Sequence, residues 1–395
     1  MPTNRDTLLP LHAEMTGWRR DFHAHPELGF QETRTGGRVA ALLEAAGIVV
    51  TRGVGRTGLV GTLKTGKSTR SIGLRADMDA LPIAEGNRFV HRSTHEGVMH
   101  ACGHDGHTAM LLGAAVHLAR TRRFDGIVHF IFQPAEEGLG GARAMVEDGL
   151  FTRFPCDAIF GMHNRPKLGL GRFAVKSGPM MAGGGFFDIR VTGRGSHGAR
   201  PESSVDAALV AAQIAVSIQS IVARNLSALD NAVVSVTRIH AGDAYNVIPQ
   251  TAELGGTVRA FSRQTMEAIE AHLRRIAEGT AAAFGASATL DFRVPFAPTI
   301  NDAEQAEFAA AICTGLVGAD KVDRNPPPIM ASEDFSFMLE RVPGCYINIG
   351  NGDGDGEGEG GCEVHNPGYD FNDESLPLGA AFFVRAVETR LAAAA

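Results

Sequence analysis

The sequence predicts an α/β protein in which a mixed, largely parallel sheet flanked by helices is interrupted by a second, ferredoxin-like α+β domain. Three observations predict it. Short apolar strands alternate with helical segments between residues 71 and 163, the pattern of βαβ units around a parallel sheet. Residues 181–294 change to the order β-α-β-β-α-β, which is that of a ferredoxin-like unit. The length of 395 residues suits two or three domains, at roughly 100–200 residues each.

Taken in order, SIGLRADMDAL (71–81) is an apolar strand that stops at two aspartates. GHTAMLLGAAVHLART (106–121) is a helix, and Asp105 is placed to be its N-cap. GIVHFIF (126–132) is a strand leading into the polar turn QPAEEG, and GARAMVEDGLF (141–151) is a helix. DAIFGMH (157–163) is a strand that ends at a histidine. In the second domain, GFFDIRVTG (185–193), NAVVSVTRIH (231–240), NVIPQTAELGGTVRAF (246–261) and ASATLDFRV (286–294) are strands. They alternate with a helix over 203–225 that starts at serine and a helix over 265–285 that ends at glycine. The first domain then comprises residues 1–180 and 295–395, and the insertion residues 181–294. MASEDFSFML (330–339) reads as a helix beginning at Ser332, and NGDGDGEGEGG (351–361) as a solvated loop.

Composition excludes several classes. A formal net charge of −7 and a pI of about 6.1 argue against nucleic-acid binding, which wants a basic face. No run of about 18 apolar residues predicts a membrane span. The N-terminal stretch lacks a long apolar core and a small-residue cleavage site, so no signal peptide is expected. Five widely spaced cysteines make a poor disulfide framework and point to a reducing cytoplasm.

The candidate chemistry lies where the strands end. Cys102 and His104 in MHACGHDGHTAML are two residues apart and can converge only in a non-helical turn. Thiolate and imidazole both bind zinc and other first-row divalent ions. Alone, the pair could equally be a helix-capping turn. Glu136 and Glu137 follow a buried-looking strand. One could bind metal while the other holds a water as general base, although paired carboxylates on a loop are also ordinary. His163 in GMHN and His365 in VHNP complete a mixed set of Cys102, His104, Glu137, His163 and His365. Five ligands of this kind suit two metals sharing one ligand. His100 and His107 flank the set as supporting or exposed groups.

Together GLRADMDALP, MHACGHDGHTAMLLGAA, QPAEEGLGGARAM, GMHN, GRGSHGARP, NVIP and HNPGYDFND resemble the aminoacylase/carboxypeptidase metallopeptidase family. The branch is that of hippurate hydrolases and indole-acetyl-amino-acid hydrolases, and RRDFHAHPELGFQE (19–32) is similar to its N-terminal signature. The resemblance spans residues 18–390. It implies a di-metal catalytic domain, an inserted lid and dimerisation domain, and a homodimer or tetramer that hydrolyses N-acyl-amino acids or small peptides. It also implies Cys102, His104, Glu137, His163 and His365 as metal ligands and Glu136 as the catalytic base. His197 is implied as a lid histidine that reaches the partner subunit's site, Asn246 and Arg259 as holders of the substrate carboxylate, and Asp79 as the group orienting a ligand. The wider family has His-x-Asp where this chain has Asp77-Met78-Asp79. Zinc suits the thiolate, manganese the carboxylate, and the resemblance allows cobalt or nickel. The rival readings are a dipeptidase or carboxypeptidase on the same scaffold and a non-catalytic binding protein.

Overall fold

The computed structural model describes residues 3–354, 356 and 359–393. By packing, the chain divides into two compact units. One takes in the chain up to Met180, Ile300–Pro327 and everything from Asp334 onward; the other is Met181–Thr299 with Pro328–Glu333. The short Pro328–Glu333 segment joins the second unit because Ile329 pairs with Met181 and accepts a hydrogen bond from the Ala182 amide.

The first unit is built on a mixed sheet of eight strands, in the order Val49–Arg52, Leu59–Thr65, Gly126–Gln133, Ser71–Asp77, Ile159–Pro166, Gly344–Gly352, Phe173–Ala174 and Val322–Asp323. Its centre is parallel: Ser71–Asp77 pairs in parallel with both Gly126–Gln133 and Ile159–Pro166, and the latter with Gly344–Gly352. Val49–Arg52 and Leu59–Thr65 add an antiparallel edge. Every residue of Ser71–Asp77 is buried, as expected of a strand covered on both faces. Register sets Asp77 beside Gln133, so the Asp77–Asp79 segment and the Pro134–Glu137 turn leave the sheet side by side. Ligand sites form at such carboxyl ends of parallel strands.

The helix His104–Thr121 is buried along nearly its whole length. Asp105 is not its N-cap. That position belongs to Gly103, at φ 91°, a left-handed conformation glycine adopts without steric cost. A Cβ there would also collide with Asn164 and Tyr369. Asp105 sits inside the first turn, where its carboxylate accepts from His23 Nδ1 at 2.8 Å and pairs with Arg19.

Three other expectations change in detail. The segment 141–151 breaks into Gly141–Glu147 and Leu150–Arg153 at Gly149, whose φ is 80°. No helix begins at Ser332; a single turn, Ser336–Leu339, follows instead, and Asp334 accepts from Gln133 and the Ala142 amide. The helix expected over 203–225 starts at Ala207, capped by the Asp206 side chain; its α-helical part ends at Ile218 and a π-helical turn, Ile221–Asn225, carries it to the expected end. The 351–361 loop expectation lies partly outside the described residues, which omit 355, 357 and 358.

The second unit has a four-stranded antiparallel sheet in the order Ala232–Ala241, Thr251–Ala260, Gly183–Thr192, Ser287–Phe296. Numbered along the chain this is 2-3-1-4, the ferredoxin-like arrangement. The helices Ala207–Ile218 and Arg263–Ala283 contribute Val210, Ile214, Ile269 and Leu273 to a core with Ile189, Leu254 and Val258. That apolar stripe at helical spacing fixes which helix face meets the sheet.

Candidate metal centre

Two of the five expected ligands, Glu137 and His163, are held by a strand of the first sheet or the turn leaving one, and Cys102 and His104 stand at the start of the buried helix. His104 opens the buried helix, with Nδ1 on the Asp79 carbonyl at 2.9 Å. With Nδ1 donating there, Nε2 is the nitrogen that loses its proton to become the acceptor a metal needs. His163 repeats the arrangement, with Nδ1 on the Asn164 carbonyl at 2.6 Å and Nε2 turned to Cys102 Sγ at 3.4 Å. Glu137 follows the strand Gly126–Gln133, and its amide is held by Asp79 Oδ2 at 3.0 Å. His365 comes from a distant loop, anchored by its amide on the Ala101 carbonyl at 2.7 Å, and brings Nε2 to 3.3 Å from Glu137 Oε1. Its φ of 62° lies in a region that costs a β-carbon residue energy and that clusters at functional sites.

These side chains form two overlapping triads whose ligand atoms lie within 4.8 Å of one another: Cys102, His104 and His163; and Cys102, Glu137 and His365. Cys102 belongs to both, and Glu136 joins His104 and Glu137 in a third group. Whether the set fits cations can be judged from its orphans. His104 Nε2 and Glu137 Oε1, one from each triad, are buried without hydrogen-bond partners. Unpaired buried polar atoms are costly, and so is a concentration of buried acids. Divalent cations satisfy both demands, so the residues present fit two of them.

Supporting groups are buried with them. Asp77 pairs with Arg75 at 2.7 Å and accepts from His107 Nδ1 at 2.6 Å. Burial opposes its charge, but Arg75, His104 and His107 outweigh burial and hold the carboxyl well below its ordinary range. His107 Nε2 accepts from the Asn164 amide at 2.9 Å, so both of its ring nitrogens are engaged. Neither His100 nor His107 is exposed; His100 is buried with both nitrogens unpartnered. Asp79 contacts both His104 and Glu137. Glu136 is buried and its Oε1 accepts from the Asp334 amide at 3.4 Å.

Motif reading missed Arg75, Gln133, Asn164 and Asp334. Arg75 links Asp77, Gln133 and Asp334, and Asn164 holds His107 and the Cys102 carbonyl. The signal for Arg75 was present, since a charged residue inside an apolar strand needs a buried partner.

The remaining expected residues lie in the second unit. His197 pairs in register with Val247, its exposed ring accepting the Ala199 amide at Nδ1, 3.0 Å. A neutral ring then carries its hydrogen on Nε2 as a donor. Asn246 is adjacent, its carbonyl accepting from Gly198 at 2.7 Å. Arg259 donates to Thr257 Oγ1 at 2.6 Å and to the Val258 carbonyl.

Protons and cations compete for this centre. Burial, then Glu137, Glu136 and Asp77, push the Cys102 thiol well above its ordinary range. Burial alone would depress His104, but Asp77, Asp79 and Glu137 outweigh it and raise the ring to about 10. Both groups therefore hold protons near neutrality that a cation must displace, and affinity rises with pH. We expect the apparent Kd for Mn²⁺ or Zn²⁺ to fall about tenfold per pH unit for each proton released. Titration at pH 6, 7 and 8 reads the slope, and a Kd independent of pH would contradict these assignments.

Known proteins share this architecture. A family model described as peptidase family M20/M25/M40 matches residues 73–389. The hippurate hydrolase of Campylobacter jejuni is 42% identical over 378 residues, covering 96% of this chain and 97% of that one. The N-acetylcysteine deacetylase of Bacillus subtilis is 39% identical, with 94% and 95% covered. A crystal structure of a dinuclear metal-binding M20 peptidase from Bacillus subtilis superposes with a TM-score of 0.82 at 35% identity, covering 97% of this chain and 99% of that one.

Proposed function

The chain belongs to peptidase family M20/M25/M40 and is a hydrolase, and from that premise we propose that it cleaves the amide bond of N-acyl-amino acids of the hippurate kind. The products are a carboxylic acid and an amino acid. The observation that carries the reading is the sharing of Cys102 between two ligand triads beside Glu136.

Cys102, His104, Glu137, His163 and His365 would hold two divalent cations, manganese or zinc. When bound, these supply the Lewis acidity that brings water's pKa toward neutrality and offsets charge on the oxyanion. Glu136 takes the proton of the attacking water as the oxygen–carbon bond forms. It returns that proton to the amide nitrogen as the carbon–nitrogen bond breaks. The Asp334 amide at Glu136 Oε1 fixes the carboxylate's direction. His197 Nε2–H is the proposed donor to the oxyanion, and Asn246 and Arg259 are the proposed holders of the substrate carboxylate. The last three roles rest on the family resemblance. The second unit serves as lid and dimerisation domain of a homodimer, and the five unpaired cysteines suit the reducing cytoplasm.

The test is a substrate panel. Purified protein loaded with Mn²⁺ or Zn²⁺ is assayed on hippurate, N-acetyl-amino acids and dipeptides. We expect kcat/KM for the best N-acyl-amino acid to exceed that for any dipeptide by at least about tenfold. The reverse order would favour the dipeptidase reading, and hydrolysis of none would favour a binding protein.

A further inference from the structure

The N-terminal signature ends at Glu32, to which the hydrolytic scheme gives no task. Glu32 precedes the helix Thr33–Ala45, yet its side chain does not cap that helix. It is fully buried and reaches across the sheet's end. One oxygen accepts the Ala135 amide at 2.8 Å, and the other accepts the Thr57 hydroxyl.

Ala135 is the residue before Glu136, and its φ is 53°. A residue with a β-carbon enters that left-handed region at a cost and stays only when its surroundings hold it there. Three neighbours do so besides Glu32. Its carbonyl accepts from the Gly141 amide at 3.0 Å. Gly29 packs so closely that a Cβ there would come within 3.1 Å of Ala135. Two residues on, the Glu137 amide is held by Asp79 at 3.0 Å. The amides on either side of Glu136 are thus each fixed by a buried carboxyl, Glu32 before it and Asp79 after it.

We propose that Glu32 is a positioning residue whose buried carboxyl locks the left-handed turn at Ala135 and so aims Glu136 at the reacting water and Glu137 at its cation. The inference rests on the hydrolase reading above. Without the anchor, Ala135 relaxes toward ordinary backbone angles, and the Cα–Cβ directions of the next two residues turn with it. A misplacement of about 1 Å at a reacting group costs up to about 100-fold. The role is one of hydrogen bonding rather than charge. Burial holds the Glu32 carboxyl above its ordinary range, only partly offset by the Thr57 hydrogen bond. A glutamine can reproduce both contacts, its oxygen accepting from Ala135 and its amide donating to Thr57 Oγ1.

Glu32→Ala and Glu32→Gln are compared with wild type by steady-state kinetics on the best N-acyl-amino acid and by Co²⁺ titration followed in the visible spectrum. Glu32→Ala should lose about 10- to 100-fold in kcat, with KM within about threefold, and weaken one Co²⁺ site by about tenfold. Glu32→Gln should keep at least about a third of wild-type kcat and both Co²⁺ affinities. Glu32→Asp, one methylene short, takes the alanine variant's place if that protein fails to fold. The proposal is overturned if Glu32→Ala keeps wild-type kcat and cobalt binding, if the loss falls on KM alone, or if Glu32→Gln fails as badly as Glu32→Ala. Should wild type bind Co²⁺ but hydrolyse nothing, the hydrolase reading fails and the cobalt spectra alone decide the role of Glu32.

Discussion

Glu136→Gln is expected to lower kcat by about 10²–10⁴-fold, the range for loss of a positioned general base, while both cations remain bound. The substitution preserves volume and the oxygen that accepts from the Asp334 amide, so the turn and the neighbouring Glu137 keep their geometry. What it removes, on the proposed role, is the capacity to take a proton from water and deliver it to the leaving nitrogen. A combined measurement of kcat and metal content distinguishes this from collapse of the site. Wild-type kcat in a correctly loaded variant would remove Glu136 from the role of base.

Cys102→Ala should have a larger effect on metal than any other single change, because Cys102 alone joins the His104–His163 and Glu137–His365 triads. On the proposed assignment its loss would take one ligand from each ion. Activity should fall by at least about 10²-fold, with both cations bound weakly or lost. Among the described residues His365 belongs only to the triad with Cys102 and Glu137, and its side chain is half exposed. His365→Ala should therefore release one ion and spare the other. The difference between these variants is a property of the sharing, not of ligand count, since each removes a single side chain.

Much of this centre is legible in the sequence for a physical reason. Central parallel strands are buried on both faces, so they read as apolar runs, and the polar residues that end them stand out. Asp77 ends one such run and Glu136 and Glu137 follow another, while His163 follows the apolar stretch 159–162 inside a strand that continues to Pro166. The β-α-β-β-α-β order of the second unit is legible for a similar reason, because its strand and helix periodicities differ. Contacts that join distant elements are not legible in this way. Nothing local to Glu32 announces that it holds Ala135, 103 residues away. Asp105 has the composition of a cap, but the left-handed turn at Gly103 moves the helix start upstream of it and frees its carboxylate for His23 and Arg19. Ser332 fails as a helix start because the segment is tied at Ile329 to Met181 and to the Ala182 amide, a tertiary pairing that overrides local capping preference.

The central claim is that one thiolate serves two ions, and counting bound metal tests it most directly. Wild type, Cys102→Ala and His365→Ala are equilibrated with Mn²⁺ or Zn²⁺ at pH 8, freed of excess ion, and analysed for metal per chain. The account predicts about two ions, none and one respectively. Two ions retained by Cys102→Ala, or a single ion in wild type, would contradict it.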